Sequence, residues 1–330
     1  MSSLQKSEPA GGSTETRRRT APWAWMLVAL GAHTGWGAYP VFVRYLQTVS
    51  HLPSMSLLTT GYLFVLPVLA VVVLPRVHKR FFRLRILWLF AAIVVVRGIT
   101  NLLAARYTLA IYVQLITLMT PFVVAMLSAT FLHEPIPPYT GRAIMLSSVG
   151  ALLMMSGNVG KAGVHLALTP ADWIGIALAS ISTFSLAVYM IIVRRTVLDD
   201  VPAQAVLFVQ VVTLLGMSAL LSFLLREDWS RWRAIGSTDW LVFGAYSLGV
   251  LLGANTSQIK ALQHLGAPLV SSLLAWRLVS ALFVAALLLG ERLTSPWQGI
   301  GALMVAVTIT WYLWRQRDEQ VRELKQTMQG

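Results

Sequence analysis

The stretch Leu273–Ala285, "LLAWRLVSALFVA", is apolar along nearly its whole length but contains one arginine, Arg277. A charged side chain at the centre of a membrane-spanning helix is unfavourable by about 2.5–3.5 kcal/mol, even on lenient insertion scales. The solvent around this stretch therefore decides two questions: which fold the chain adopts, and why an arginine is kept there.

The composition indicates that this solvent is lipid. Of the 330 residues, 56% are hydrophobic and only 12% are charged, whereas soluble domains carry about 25% charged residues. The net charge is +13, but the basic residues occur in short runs between apolar segments, which is typical of membrane loops and not of a nucleic-acid-binding face. Cysteine is absent, so a disulfide framework and a thiolate metal site are excluded. The sequence predicts an integral membrane protein.

Apolar runs long enough for a membrane helix, about 20 residues, recur along the chain. They predict ten spans: Trp23–Gln47, Ser56–Leu74, Ile86–Ala105, Leu109–Leu132, Tyr139–Ser156, Trp173–Val193, Ala203–Leu225, Trp240–Ile259, Ala267–Leu289 and Trp297–Trp314. The predicted fold is an all-α integral membrane protein.

Both ends of the chain are predicted to be cytoplasmic tails. Residues 1–20 are polar and rich in Gly, Ser and Thr, a composition typical of disorder, and residues 315–330 are rich in charge. With the N-terminus inside, the cytoplasmic segments hold 17 lysines and arginines and the opposite side holds 7. This asymmetry follows the positive-inside rule, and we expect a multi-pass protein of the plasma (cytoplasmic) membrane.

The two halves of the chain share an outline. An apolar helix, a glutamate, a proline-containing turn and a glycine-containing helix follow one another in Thr120–Met155 and again in Arg277–Trp311, with Glu134 opposite Glu291. Because each copy holds five spans, an odd number, the second copy enters the membrane from the other side. The pattern predicts two inverted five-helix repeats, residues 21–158 and 170–314, an arrangement found in many transporters. Chance similarity between apolar helices is the alternative.

The elements "LHEP" at Leu132–Pro135, "LGERLT" at Leu289–Thr294 and "QGIGALM" at Gln298–Met304 resemble the EamA-type repeats of the drug/metabolite transporter superfamily. The resemblance covers nearly all of residues 21–314, although the first copy has "HEPI" where "GERL" is typical. It implies a ten-helix bundle that moves small organic solutes, with a cavity lined by the first, third, fourth, sixth, eighth and ninth spans.

Two arginines, Arg97 and Arg277, lie in the middle of predicted spans, while none of the 13 acidic residues does. A deep cation without a deep anion has only backbone carbonyls, water or a substrate as partners. We hypothesise that Arg277, supported by Arg97, binds an anionic group such as a carboxylate or a phosphate. Structural bonding to carbonyls and water is the alternative.

Other polar side chains on the same spans are candidates for substrate binding. His33 is the only imidazole deep in a span; it either titrates near physiological pH or, as we favour, hydrogen-bonds a neighbouring helix. Glu291 is expected to complement the dipole of the helix that follows it. The remaining substrate-binding candidates are Trp276, Asn101, Gln114, Asn255 and Tyr112.

These observations favour a facilitator, exchanger or exporter of a small, anionic or carboxylate-bearing metabolite that works by alternating access. A proton-coupled exporter of amphipathic drugs is the first alternative, and a receptor or scaffold that moves no solute is the second. An enzyme is not expected, because the only aspartate pair, Asp199–Asp200, lies in a loop and no nucleotide-binding loop or zinc-spaced histidines occur. No cofactor or metal is expected. The expected partners are a small solute and the lipid bilayer, and a homodimer is left open.

Overall fold

The computed structural model describes residues 22–73, 84–131, 139–160, 163–166, 168–198, 203–265, 273–291 and 293–327. The predicted disordered tail, residues 1–20, lies outside the described residues, as do Glu134 and Asp199–Asp200.

The described chain is helical apart from one short hairpin. The α-helices are α1 Pro22–Thr48, α2 Ser54–Val73, α3 Arg85–Tyr107, α4 Ala110–Thr117, α5 Thr120–Phe131, α6 Thr140–Met155, α7 Pro170–Leu198, α8 Ala203–Leu224, α9 Ser237–Gly244, α10 Asn255–Leu265, α11 Trp276–Leu288 and α12 Pro296–Thr327. A 3₁₀ helix, Trp229–Arg233, precedes α9, and a π-helix, Ala245–Ala254, joins α9 to α10. Strands β1 Ser156–Gly160 and β2 Gly163–Leu166 pair antiparallel between α6 and α7.

The helices have the length and composition of membrane spans. Five segments of the described residues are long and apolar enough to cross a membrane: Ser54–Val71, Arg85–Tyr107, Ala110–Leu127, Pro170–Ile192 and Ala205–Leu224. Helices α6 and α11 are apolar but shorter. A helix satisfies its own backbone N–H and C=O groups, which is the condition for crossing lipid. The chain is a multi-pass membrane protein.

Two predicted spans are broken where a single helix was expected. The span Leu109–Leu132 divides into α4 and α5 around a turn at Leu118–Met119, just before Pro121, whose ring cannot continue an N–H ladder. In the ninth span, residues 273–275 form a turn, with the N–H of Arg277 donating to the carbonyl of Leu274, three residues back. Arg277 therefore lies in the first turn of α11, not deep within a longer helix.

At the opposite end of the chain, α12 continues past the predicted span to Thr327, so most of the charged C-terminal tail is helical.

A few helix pairs make most of the long-range contacts. Helix α3 packs against α7, α6 against α12, α2 against α8, and α1 against α11. Helix α1 also packs against the π-helix and α10, and α7 against α4 and α5. One apolar core joins α1, α2, α3, α7, α8 and the π-helix, and a second joins α4, α6, α11 and α12. The polar pocket described below lies between these two cores.

Carboxylates organise the end of the bundle where α1, α3, α8 and α11 finish, which we call the Arg44 end. Glu227 accepts the backbone N–H groups of Met55 (2.9 Å) and Ser56 (2.6 Å) in the first turn of α2. A negative group here is favoured by the helix dipole. Asp239 accepts from the Ser50 hydroxyl at 2.7 Å, and this hydrogen bond, with help from the Gly236 N–H, lowers the pKa of the Asp239 carboxyl. These bonds connect the α1–α2 turn to the first turn of α9, and the start of α2 to the segment between α8 and α9.

Helices α6 and α12 cross at two glycines. A Cβ atom on Gly301 would lie 2.5 Å from the carbonyl oxygen of Gly150 and 2.5 Å from the backbone nitrogen of Met154. Two backbones can approach this closely only where side chains are absent, as is common between membrane helices.

We predict that Gly301→Ala destabilises the protein by about 1–3 kcal/mol, because the added methyl group overpacks this crossing. Gly299→Ala, two residues away on the same helix, is the matched control, since its Cβ would meet nothing within 4 Å. Thermal unfolding of the purified protein in detergent measures both variants. Equal midpoints for the two alanine variants would contradict the close crossing.

Candidate functional site

A polar pocket lies between the two apolar cores, near the turns that end α4 and precede α11. Five helices line it: α1, α3, α4, α7 and α11. Its lining residues are Trp36, Tyr39, Pro40, Arg97, Asn101, Val113, Gln114, Thr117, Ser182, Thr183, Leu186 and Arg277.

The two deep arginines meet in this pocket around one indole ring. The guanidinium carbon of Arg97 lies 5.7 Å from the centre of the Trp36 ring, and that of Arg277 lies 5.8 Å from it. Arg97 also lies 4.9 Å from the ring of Tyr189. Such cation–π contacts favour a desolvated cation by about 2 kcal/mol or more, but they leave its net charge in place.

Arg277 has a hydrogen-bond partner on α1. Its Nε donates to Nδ1 of His33 at 2.9 Å, and both side chains are buried. In the part of the chain that the structure describes, no carboxylate lies within ion-pair distance of Arg97 or Arg277. The pocket therefore concentrates positive charge that the described residues do not neutralise.

Several buried polar atoms at the pocket lack a hydrogen-bond partner among the described residues. They are Nε1 of Trp36, Nε2 of Gln114, Oδ1 of Asn101 and Oγ1 of Thr183. A buried polar atom left unpaired is unfavourable by about 1–3 kcal/mol. Three of these four atoms can donate a hydrogen bond. Together with the guanidinium N–H groups they form a donor-rich lining suited to an anion.

The pocket is small in this conformation. Its free volume is about 20 Å³, which suffices for a water molecule but not for a metabolite. The lining helices must separate before a larger molecule can enter.

A second polar network closes the Arg44 end and involves the same helices. Arg44 donates through Nη1 to the carbonyls of Thr108 and Ala105, and its Nε lies 2.8 Å from Oε1 of Glu291. The Thr108 hydroxyl donates in turn to Asp172, near the start of α7, at 2.6 Å. These contacts tie together α1, α3, α7 and the segment after α11.

Glu291 also faces the start of α4. Burial raises the pKa of its carboxyl, against the opposing effects of Arg44 and of the backbone N–H groups of Ala110 and Ile111. The expectation that Glu291 complements the helix that follows it is therefore wrong. Near the start of α12 it is Gln298 that accepts a backbone N–H group, that of Thr294, at 2.7 Å. Glu291 instead faces the N–H groups at the start of α4, which is distant in the sequence.

Half of the predicted substrate-binding residues line the pocket. Arg277, Arg97, Asn101 and Gln114 are brought together there. His33 does not line the pocket but bonds Arg277, which agrees with the favoured interpretation that it hydrogen-bonds a neighbouring helix.

Trp276, Asn255 and Tyr112 are not brought to the pocket. Trp276 donates to the Thr34 hydroxyl at 2.9 Å and is 39% exposed, because neighbours on a helix point about 100° apart and Arg277 takes the inward direction. Asn255 donates to the carbonyl of Leu251 in the π-helix that precedes α10. Tyr112 is buried in the second apolar core.

Sequence reasoning missed Ser182 and Thr183, because serine and threonine are common in membrane helices and their hydroxyls usually bond the preceding turn. Trp36 and Tyr39 carried a signal, as aromatic residues with polar tips beside the glycines of α1. Spacing alone did not show that both line the pocket or that the Trp36 ring lies beside the arginines.

A multi-pass helical membrane protein with a buried, donor-rich pocket between its helices has the features of a solute-handling protein. The comparisons agree. The sequence model of the EamA-like transporter family matches residues 23–156 and 173–314. The chain belongs to this family of transporters, and its two matched segments correspond to two EamA repeats.

Comparison of structures supports the same fold. Twenty-four chains of solved structures match, among them a crystal structure described only as that of a protein. That structure has a TM-score of 0.59 and 17% sequence identity, and the match covers 90% of this chain and 99% of the other. At this identity the likeness bears on the fold alone. No curated protein sequence matches significantly.

Gly37 sets the distance between α1 and the start of α11. A Cβ atom there would collide with the carbonyl oxygen of Arg277, and it would lie 2.9 Å from Cβ of Ser280. We predict that Gly37→Ala displaces α11, breaks the Arg277–His33 hydrogen bond and destabilises the protein by about 1–3 kcal/mol. Thermal unfolding in detergent measures the effect.

The matched control is Gly31→Ala on the same helix, where a Cβ would meet nothing within 4 Å. This variant should unfold at or slightly above the wild-type temperature, because alanine favours a helix by about 1 kcal/mol over glycine. A Gly37→Ala protein as stable as the Gly31→Ala protein would contradict the assigned contact.

Proposed function

We propose that the protein carries a small organic anion, with a carboxylate or phosphate group, across the membrane by alternating access. The observation that carries this proposal is the pairing of Arg97 and Arg277 in one buried pocket, without a neutralising carboxylate among the described residues. A guanidinium group offers a planar fork of donors that matches a carboxylate or a phosphate.

The interruption of the ninth span supports an anion at this position. Because Arg277 lies in the first turn of α11, the pocket lies at the N-terminal end of a helix, where the dipole favours negative charge. Broken helices whose N-termini face an anionic group are a recurring device in secondary transporters. A cationic amphipathic drug would instead meet two like charges, so the donor set favours the anionic cargo over that alternative.

The packing pairs support ten spans arranged as two inverted repeats, residues 21–158 and 170–314. We take α4 with α5 as the fourth span, and α9, the π-helix and α10 as the eighth. Each of the main packing pairs then has a counterpart when the repeats are exchanged. The third span against the sixth matches the eighth against the first. The first against the ninth matches the sixth against the fourth, while the second–seventh and fifth–tenth pairs map onto themselves. A two-fold relation between the repeats gives this pattern.

Alternating access explains why the pocket is closed in this conformation. With both termini in the cytoplasm of a plasma-membrane protein, as the basic residues favour, the Arg44 end faces outward. Its polar network then closes the pocket from the outside, and cargo exchange there requires Arg44 to release Glu291 or the α3 carbonyls.

We predict that Arg277→Gln and Arg97→Gln each lower the uptake of an anionic cargo into proteoliposomes at least tenfold, since a charge-assisted hydrogen bond contributes about 1.5–3 kcal/mol. A panel of mono- and dicarboxylates and phosphorylated metabolites is first screened by thermal shift, because a ligand that binds only the folded protein raises its unfolding temperature.

Arg233→Gln is the matched control, because Arg233 lies exposed in the 3₁₀ helix at the surface. It should transport at the wild-type rate. The anion proposal is refuted if no anion in the panel stabilises the wild-type protein, or if the two pocket variants transport an anion as fast as the wild type does.

The orientation has its own test, which the absence of native cysteine makes direct. We predict that a cysteine at Ser237, the exposed first residue of α9 at the Arg44 end, reacts with a membrane-impermeant maleimide on intact cells. A cysteine at Ser3 should react only after the cells are permeabilised. The reverse pattern would overturn the proposed orientation and leave the fold unaffected.

A further inference from the structure

His33 holds Arg277 by a hydrogen bond whose direction is fixed by chemistry. The Nε atom of an arginine always carries a hydrogen, since the guanidinium group does not deprotonate in proteins. At 2.9 Å from it, Nδ1 of His33 must be the acceptor. An imidazole nitrogen accepts only when it carries no proton, so this bond exists only while His33 is neutral.

The bond leaves the other side of the guanidinium group available to the pocket. With Nε directed at α1, the four N–H groups on Nη1 and Nη2 are the ones that remain for a ligand, and Arg277 lines the pocket. An arginine side chain has many rotamers, and holding one of them in advance reduces the entropy lost on binding.

The surroundings of His33 make its protonation unfavourable for this arrangement. Helix α1 packs against α3, α4, α9, α10, α11 and the π-helix. Two of the charged side chains on these helices are Arg277, which bonds His33, and Arg97, which lies beside the Trp36 ring. The titratable side chains also include Tyr112 and Tyr246, which are buried in the apolar cores. Lys260 on α10 is exposed. Asp239, in the first turn of α9, accepts from Ser50, which lies about 25 Å from His33 along the direction of α1. Among the described residues, the charges at the depth of His33 are therefore positive.

We propose that His33 is a positioning residue that presents Arg277 to the anion, and that protonation of His33 releases Arg277 and weakens anion binding. This inference rests on the proposed anion pocket and adds its regulation by pH. When His33 gains a proton, Nδ1 becomes a donor facing another donor, and an imidazolium stands beside a guanidinium. Arg277 then has to leave the position in which it lines the pocket.

The sign of the pH dependence follows from this geometry. Binding is strongest when His33 is neutral and falls as the pH drops and the imidazole gains a proton. The measurements cover about pH 5 to 8, the range in which histidine side chains commonly titrate. A purely structural histidine would lower the stability of the protein when replaced, but it would not give the binding constant this pH profile.

The test is isothermal titration calorimetry on the full-length protein in lipid nanodiscs at several pH values. Inorganic sulfate and lactate serve as probes, because their charges stay constant over this range. The wild type should bind more weakly as the pH falls. His33→Asn should bind as the wild type does at the alkaline end and lose the pH dependence, because the Asn Oδ1 can occupy the place of Nδ1 and accept from Arg277 without titrating.

His33→Leu, which supplies no acceptor, should bind roughly 10- to 100-fold more weakly at every pH. If this variant does not fold, the comparison of His33→Asn with the wild type carries the test. His51→Asn is the matched control, since His51 is exposed and its backbone φ of 54° suits asparagine; it should keep the wild-type profile.

The outcomes separate this inference from the proposed function. If the wild type binds neither probe at any pH, the anion pocket itself is refuted. If the wild type binds a probe but His33→Asn keeps the same pH profile, or binding strengthens on acidification, the role of His33 is refuted while the anion pocket stands.

Discussion

Two guanidinium groups beside one indole ring, inside a bundle surrounded by lipid, are the constraint on which the other features of this molecule depend. Arg97 and Arg277 come from different halves of the chain and approach the same face of α1 around Trp36. In lipid neither cation can recruit bulk water, so each must be held by protein dipoles, aromatic faces or a ligand. The imidazole of His33 and the ring of Tyr189 on α7 meet part of this requirement. The charge that remains is the reason for proposing an anion as the ligand of the pocket.

The membrane class, the family and the helices that form the pocket could be predicted from the sequence. Apolar runs of about 20 residues reflect the thickness of the hydrocarbon core. Arg97 and Arg277 stand out because they lie in the middle of such runs, where no acidic residue is present to pair with them. Of the six spans that the family resemblance implied, five contribute to the pocket. The eighth does not line it, and its Asn255 donates to the carbonyl of Leu251, four residues earlier.

The local breaks and the long-range hydrogen bonds were beyond sequence reasoning. Nothing in "LLAWRLV" marks a turn at Leu273–Ala275, since the residues are apolar and good helix formers. The close approach of α11 to Gly37 of α1 is equally hidden, because the two are far apart in the sequence. Likewise, the partner of Arg277 is an imidazole 244 residues away in the chain. A search for carboxylates could not find it, because a neutral acceptor leaves no charge pattern in the sequence.

The pocket and the Arg44 network belong to one mechanical unit, because the same helices carry both. Helix α1 holds Trp36 within the pocket and Arg44 at its end; α3 holds Arg97 and, at its end, the carbonyl of Ala105 that Arg44 engages. Widening the pocket from about 20 Å³ to the size of a metabolite moves α1 relative to α3, and Arg44 bridges these two helices. Opening toward the Arg44 end therefore breaks hydrogen bonds that opening toward the other end can keep. Such a difference is what alternating access requires: two closures that do not open together.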